Sequence, residues 1–533
     1  MADARFRALL GEGSVAAPVA ELLATPIRIR LEADATWARQ VCAIALADLL
    51  GRTFPRIDLA VDPAIAAHGA LPPGPGTLVE RMQEAREHAL IDAEAAASDA
   101  AVTIVVGDCG VGDIFVDGDG WISYLGVAAG ALAASDETNP VGALCAACRG
   151  SSQVVQRVVG SWLPETTRMT GAYWSALSLG QVEGPGAPNP PLSNPVIAAL
   201  LMGGGSIGGA TGYALARVPG LDGDLVVVDF DRLEDRNSRK ALLARRAGID
   251  VKARKIDVIV DELEHLPVDV MPFDGTFAAW VATRPADEPL PLCVGAVDSI
   301  PARRELADHM PLEALNAACD DSHIVMSGHR TDDGPCVYCL YVGDVLDESA
   351  TRARMIHRET GLPPGFIDEY RIRQVRLAKP TLTAIARHRG LDDDALDHRV
   401  GLTLDELFEE EFLYGEVRLT DDSGERADSA LQLTFVPALA GILLAGEMLK
   451  RTDDALQWFR LGPDGDLGTE YAEGLLQPPV GMLSTLPRWP TSECLCRSVR
   501  RLKLMRARHG LDQAPGPVPA RKGTRRADDE VVC

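Results

Sequence analysis

The 533-residue sequence reads as an α/β protein built from two parallel-layer halves in tandem. Two observations carry this. Short β-rich runs alternate with helical stretches in both halves, and a Gly-rich turn joins a strand to a helix in the second. Composition agrees, since 47% apolar and 24% charged residues are those of a globular chain. The longest apolar runs, 125–134 and 435–446, are far short of the ~20 residues a bilayer span needs. Residues 1–5 open without an apolar signal core, so a cytoplasmic protein without a membrane partner is expected.

In the first half, 27–31 (IRIRL) is a strand and 36–50 a helix with apolar residues at helical spacing. Strand 56–61, helix 77–92, strands 101–106 and 113–116, and helix 141–159 follow. No Gly-rich loop follows the first strand. Residues 179–195 are dense in Pro and Gly and mark a linker. The second half starts with strand 196–201, the glycine turn 203–209 and a helix through 218. Strands 224–230 and 290–297 come next. A charged, helix-rich stretch at 352–416 reads as an insertion, and 435–450 is a helix of small apolar residues. From 505 onward Pro, Gly and charge dominate, which predicts a flexible tail.

Charge narrows the function classes. Lys+Arg 52 against Asp+Glu 77 gives −25, which disfavours nucleic acid as a partner. The stretch 497–533 departs from this with ten basic and four acidic side chains, a solvated basic tail. Eleven cysteines suggest metal or thiol chemistry over a disulfide scaffold.

Gly203-x-Gly205-x-x-Gly208 sits between a strand and a helix, where a backbone free of side chains lets phosphates approach the helix N-terminus. Asp229 ends the next strand, where a carboxylate can take ribose hydroxyls. A nicotinamide-dependent dehydrogenase would show the same features. The following residues, Asp229-Phe-Asp231-Arg-Leu-Glu-Asp-Arg-Asn237-Ser-Arg239-Lys240, are not what a dehydrogenase needs. This block resembles the D-x-D-x-x-x-x-S-N-L-x-R-Q block of ubiquitin-activating enzymes and of the bacterial enzymes that adenylate the sulfur carriers of thiamine and molybdopterin synthesis. In order after it, Gly248-Ile-Asp-Val-Lys252 resembles the family's G-x-x-K helix start, displaced by one residue. The segment 293–303, with Asp298 and Arg303, resembles C-x-D-N-x-x-x-R. Pro335-Cys336-Val-Tyr-Cys339-Leu-Tyr resembles the P-C-x-x-C-L-F zinc half-site, and 435–450 the helix after the family's crossover loop.

The resemblance implies two Rossmann-like adenylation-type domains, the first degenerate, with a helical insertion in the second. Its boundaries are an inactive domain at 1–178, a linker at 179–195, an active domain with a zinc site at 196–345 and 430–504, a crossover insertion at 346–429, and a basic tail at 505–533. The implied reaction is attack of a C-terminal carboxylate on the α-phosphate of ATP. Its cofactors are ATP and magnesium, with a structural zinc. Asp298 is expected to hold magnesium, Asp229 to hold the ribose, and Asp231 to belong to the ATP-binding set. Asn237, Arg239, Lys240 and Lys252 are expected at the phosphates cradled by Gly203, Gly205 and Gly208. Lys240 stands where the family has Arg, and Ser299 where it has Asn. Arg5, in Ala4-Arg5-Phe-Arg7, resembles an N-terminal arginine that reaches the partner domain's nucleotide.

Cys336-x-x-Cys339 and Cys494-x-Cys496 make a tetrahedral thiolate set for zinc. A thioester nucleophile is the gap, because 341–434, where relatives keep one, contains no Cys. Cys293 and Cys319 read as packing positions, Cys145 and Cys148 as a helix pair suited to burial or metal, and Cys109 and Cys533 stay open. The reading is activation of a ubiquitin-like protein by adenylation and thioester transfer, with a conjugating-enzyme-like acceptor and a possible homodimer. The alternatives are thiol-free adenylation or amidation of a peptide C-terminus, an oxidoreductase, and a decayed scaffold.

Overall fold

The computed structural model describes residues 21–511 apart from 23, 32–34, 70–75, 88–99, 109, 131, 133–137, 161–170, 320–321, 333, 341–355, 358–359, 389–392, 412–415, 421–425, 463–464, 466, 468, 477–481, 485–493, 495 and 497. Its first half is a seven-stranded sheet. Strands β1 (Ile27–Leu31), β2 (Ile57–Val61), β3 (Val102–Val106) and β4 (Ile114–Asp119) run parallel in the order β2-β1-β3-β4. Strands β5 (Ile122–Gly126), β6 (Ala172–Ser175) and β7 (Gly180–Val182) continue it antiparallel. β1 buries every second residue, as IRIRL dictates. Helix α1 (Trp37–Gly51) begins where the Thr36 hydroxyl accepts the Arg39 N–H. α2 (Leu78–Glu87) follows β2, and α3 (Val141–Val159) lies on the β4–β5 hairpin so closely that a Cβ on Gly142 would sit 2.3 Å from the Ile122 carbonyl oxygen.

The Pro- and Gly-rich stretch expected as a linker is partly structured. Gly180–Val182 is the sheet's edge strand. Asn189 Oδ1 accepts the Trp121 N–H (2.7 Å) and the Pro190 carbonyl accepts the Trp121 indole N–H (2.9 Å). Trp121 is fully buried, and its polar edge needs those partners.

The second half has eight strands, β8 (Val196–Met202), β9 (Asp222–Asp229), β10 (Asp269–Asp274), β11 (Leu292–Gly295), β12 (Glu313–Cys319), β13 (His323–Arg330), β16 (Glu470–Gly474) and β17 (Met482–Ser484). Their order is β10-β9-β8-β11-β12-β13-β16-β17, parallel through β12 and antiparallel after it. Without β10 the two sheets correspond strand for strand. β2-β1-β3-β4-β5-β6-β7 matches β9-β8-β11-β12-β13-β16-β17, including the switch to antiparallel. Helices correspond too. α4 (Ser206–Leu215) follows β8 as α1 follows β1, and α11 (Phe435–Leu449) precedes β16 as α3 precedes β6. The extra unit comprises α5 (Lys255–Leu263), β10 and α6 (Phe277–Ala282); α7 (Ile300–Asp308) joins β11 to β12. The chain is thus a duplicated α/β fold.

The connection before α3 takes residues 127–140, and the matching one before α11 takes 331–434. Within the longer one, α8 (Pro364–Ile372), α9 (Lys379–His388) and α10 (Leu404–Glu411) gather Ile367, Leu377, Leu382, Ile385, Leu404 and Leu407 into a core of their own. A hairpin, β14 (Glu416–Thr420) and β15 (Arg426–Gln432), completes it. The helix-rich insertion foreseen at 352–416 lies there. No described helix is long and apolar enough to cross a membrane.

One apolar cluster runs through both halves, from Leu22 to Leu476. Small residues make the helix contacts close. A Cβ on Gly441 of α11 would come 2.3 Å from the Ile207 carbonyl of α4, and one on Gly446 would touch Val141 of α3. Into this interface is set a buried ion pair. Arg149 of α3 donates twice to the Glu473 carboxylate of β16 (2.8 Å each) and once to Ser123 Oγ, while Tyr471 OH donates to Glu473 (2.6 Å).

Candidate functional site

The site is assembled at the carboxyl ends of β8, β9 and β11, the crevice where parallel sheets bind ligands. Gly203 donates its N–H to the Val228 carbonyl (2.9 Å) and adopts φ +98°, a conformation that favours glycine. Gly208 packs on it, since a Cβ there would sit 1.8 Å from the Gly203 carbonyl oxygen. Gly205, the N-cap of α4, differs: a Cβ built on it meets nothing within 4 Å. Packing therefore explains two of the three motif glycines, and the third borders open space at the helix N-terminus.

Two carboxylates flank this loop. Asp229 Oδ2 accepts the Gly204 N–H (2.6 Å) and Oδ1 accepts the Asp231 N–H (2.8 Å), so it is oriented by the turn it serves. Asp231 is exposed and pairs with Lys255 Nζ (2.7 Å). Lys255 opens α5, and its Cβ lies 3.2 Å from the place a Cβ on Gly204 would take. Lys252, the lysine selected by the motif, lies on the turn before α5. It is exposed, at φ +51°, with its carbonyl accepting from Arg232. The helix-start lysine on the loop is Lys255, three residues later. Motif spacing misses it because the count runs from Gly248 and not from the helix itself.

Asp298 is exposed on the loop after β11. That loop abuts Gly203, where a Cβ would reach the Ala296 carbonyl at 2.5 Å. Buried Arg303 fixes the loop by donating to the Val297 carbonyl (2.8 Å). Ser299 caps α7, its Oγ accepting the Ala302 N–H (3.3 Å), so this serine does helix-capping work. The structure thus gathers Gly203, Gly205, Gly208, Asp229, Asp231 and Lys255 at one loop, with Asp298 exposed on the neighbouring loop whose Ala296 approaches Gly203.

The Asn237–Lys240 segment follows in turns. Asn237 is buried and forms a reciprocal cap with Glu234, its Oδ1 accepting the Glu234 N–H (2.8 Å). Arg239 is largely withdrawn from water, and burial pushes its pKa down to about 10. Lys240 is half-buried.

The first half's corresponding helix carries a cation in its first turn. Arg39, in the first turn of α1, forms a two-pronged bond to buried Asp117 (3.2 and 2.9 Å) and reaches Asp108 at 3.2 Å. Burial raises the Asp117 acid, and the Arg39 guanidinium opposes that rise. Counted from the helix starts, Arg39 is the third residue of α1 where α4 has Gly208, so the first half carries its own cation there.

The four predicted zinc ligands converge. Cys336 and Cys339 Sγ are 3.7 Å apart, Cys336 and Cys494 3.5 Å, and Cys339 and Cys496 3.4 Å, with all four buried. Four thiolates at ~2.3 Å from a tetrahedral zinc stand roughly 3.8 Å from one another, so the set fits that ion. Hydrogen bonding from Cys336 holds Cys494 below the ordinary thiol range. Neutral His329, pushed down to about 4 by burial, donates from Nδ1 to the Pro335 carbonyl (3.0 Å) and steadies the turn into Cys336. The cluster also fastens α12 (Val499–Arg508). Arg501 pairs with Asp308 (3.1 Å), and Arg508 donates to the Ala286 and His309 carbonyls. The stretch expected to be flexible from 505 is therefore helical to Arg508. The purified protein is expected to carry about one zinc per chain by elemental analysis. Cys494→Ser should lose the metal and melt several degrees lower; full zinc retention would remove the assignment.

Other described thiols do not face the cradle as nucleophiles. Cys42, Cys145, Cys148 and Cys293 are fully buried, and burial raises each one, Cys145 and Cys293 to about 12. Cys145 and Cys148 are thus core residues of α3, and the four-cysteine set is the one metal-competent group among the described residues. Cys319 is half-buried. Arg5, Cys109 and Cys533 lie outside the described residues.

No family model matches the chain. It is 26% identical over 341 residues to the uncharacterized protein y4jF of Sinorhizobium fredii, covering 63% of this chain and 64% of that protein, and so spans just under two thirds of that relative's length. Among solved structures it is similar to E. coli MccB with AMPCPP and MccA, at 13% identity and a TM-score of 0.33, over 57% of this chain and 67% of that one. It is also similar to the microcin C7 biosynthetic enzyme MccB in complex with N-formylated MccA, at 14% identity and a TM-score of 0.32, over 56% of this chain and 67% of that one.

Proposed function

We propose that the second half binds ATP and adenylates a C-terminal carboxylate, that of a peptide or a small ubiquitin-like protein. The observation that carries this is the unfilled face of Gly205, next to Gly204 with its Asp229 and Lys255 contacts, in a loop whose other motif glycines are consumed by packing. Backbone N–H groups and the dipole of α4 favour phosphate there. Asp229 takes the ribose hydroxyls, and Lys255 leaves Asp231 to pair with phosphate oxygens. A dehydrogenase has no use for a lysine on its glycine loop.

In the reaction, a carboxylate oxygen attacks the α-phosphorus. The bond to the bridging oxygen breaks, and pyrophosphate leaves with the electron pair, giving an acyl adenylate. Both reactants are anionic, so the protein's work is to place them and to neutralise charge on the departing oxygens. Asp298, an exposed carboxylate, suits a magnesium ion shared with the nucleotide's phosphates, and such an ion supplies charge neutralisation. Arg239 and Lys240 stand close in sequence to the loop's ribose acid and add positive charge.

Transfer of the acyl group directly to an acceptor is the version favoured by the thiols, since the described ones outside the zinc set are buried or half-buried. A reducible adduct between the chain and its carboxylate partner would instead establish a thioester route. The test is exchange of labelled pyrophosphate into ATP with small ubiquitin-like proteins and short peptides as substrates. Asp298→Ala is expected to lower exchange by about 10²-fold; undiminished exchange in that variant would overturn the magnesium assignment.

A further inference from the structure

The half without a glycine loop sends a buried cation into the segment beside the other half's site. Arg52 caps the C-terminus of α1, and its guanidinium is fully buried. Nη1 donates to the Ser238 carbonyl (2.5 Å) and the Ala244 carbonyl (3.3 Å), Nη2 to the Leu242 carbonyl (2.7 Å), and Nε to Asp48 Oδ1 (2.7 Å). Residues 238–245 run in turns, without helix or strand. Carbonyls in such a stretch need partners from outside it. Here they get three bonds from one side chain in the opposite half and a fourth from Thr434, whose hydroxyl donates to the Arg239 carbonyl. The same stretch presses Leu243 against the first turn of α4, 3.8 Å from a Cβ placed on Gly209.

We propose that Arg52 is a positioning residue through which the half lacking the glycine loop holds the segment carrying Arg239 and Lys240 against the nucleotide loop. This rests on the adenylation reading of that loop. A general role in joining the halves is already filled by α3 and α11, which pack apolar face to apolar face. The bonds of Arg52 go to neither helix but to the 238–244 segment and to Asp48. Its planar fork spans three carbonyls, which a lysine's point charge cannot do. Asp48 balances its charge, so the pair stays in the interior without an unmatched ion.

The test is Arg52→Lys in the full chain, which keeps the charge opposite Asp48 and loses the fork. Hydrogen exchange on the nucleotide-free protein should speed up in 238–244 and stay unchanged in α3 and α11. The KM for ATP in pyrophosphate exchange should rise about ten- to a hundredfold with a much smaller change in kcat. If the lysine variant does not fold, Asp48→Asn combined with Arg52→Gln removes both charges together and is read the same way. Wild-type exchange rates in 238–244 with an unchanged KM would overturn the proposal, as would protection lost equally across α3 and α11. A wild-type protein that neither binds ATP nor exchanges pyrophosphate would instead overturn the adenylation reading, and with it the catalytic purpose assigned to Arg52.

Discussion

Lys255→Ala is expected to lower carboxylate-dependent ATP–pyrophosphate exchange by about 10²- to 10³-fold with no loss of folded protein. The side chain lies along the glycine loop, its stem 3.2 Å from the Gly204 position, and its ammonium is held 2.7 Å from Asp231 at the loop's rim. A phosphate entering over Gly205 offers a stronger partner than an exposed carboxylate, because the charge is larger and the geometry fixed by backbone N–H groups. Removing the ammonium leaves charge on the departing pyrophosphate with less to balance it. The neighbouring change Lys252→Ala is the internal control. That side chain is exposed on the turn before α5, with no contact to the glycine loop among those described, and its loss should leave exchange nearly unchanged. Reversal of the two effects would return the role to Lys252 and mean that α5 begins elsewhere in the working enzyme.

The second large effect is on stability. Glu473→Gln should destabilise the protein by about 3–5 kcal/mol, read as a shift in the denaturant midpoint. Glu473 is fully buried and accepts two bonds from Arg149 and one from Tyr471. Glutamine keeps the shape but removes the charge, leaving the Arg149 guanidinium in the interior without its counter-ion. Because Arg149 belongs to the first half and Glu473 to the second, the penalty falls on their shared core. A cost under about 1 kcal/mol would show that water reaches the pair.

Much of this architecture is legible in sequence, for physical reasons that differ by element. Strands β1, β2, β3, β4, β8, β9 and β11 and helices α1, α3, α4 and α11 announce themselves because burial imposes apolar runs or apolar alternation, whereas the parallel strands β10, largely exposed, and β12 carry no such run. The two cysteine pairs are legible because metal geometry restricts spacing. The antiparallel strands β5, β6 and β7 are not, being only three to five residues long and too short to show a period. Spacing selects Lys252 over Lys255 because a motif counts residues, whereas the helix start is set by where Arg254 leaves extended backbone. Arg52 leaves no local pattern at all: its partners across the halves lie 186 to 192 residues away and are carbonyls, which every residue has.

The strand-for-strand match of the two sheets has a consequence for how such a protein can change. In a pair of identical subunits, each substitution appears twice, so a helix start cannot gain a cation in one copy and keep its glycine in the other. Joined in one chain, the copies answer to separate codons. One can take up Arg39 and stiffen while the other keeps its glycines and accepts a long insert in a single connection. Covalent linkage thus turns symmetry into division of labour without altering a strand of the original plan.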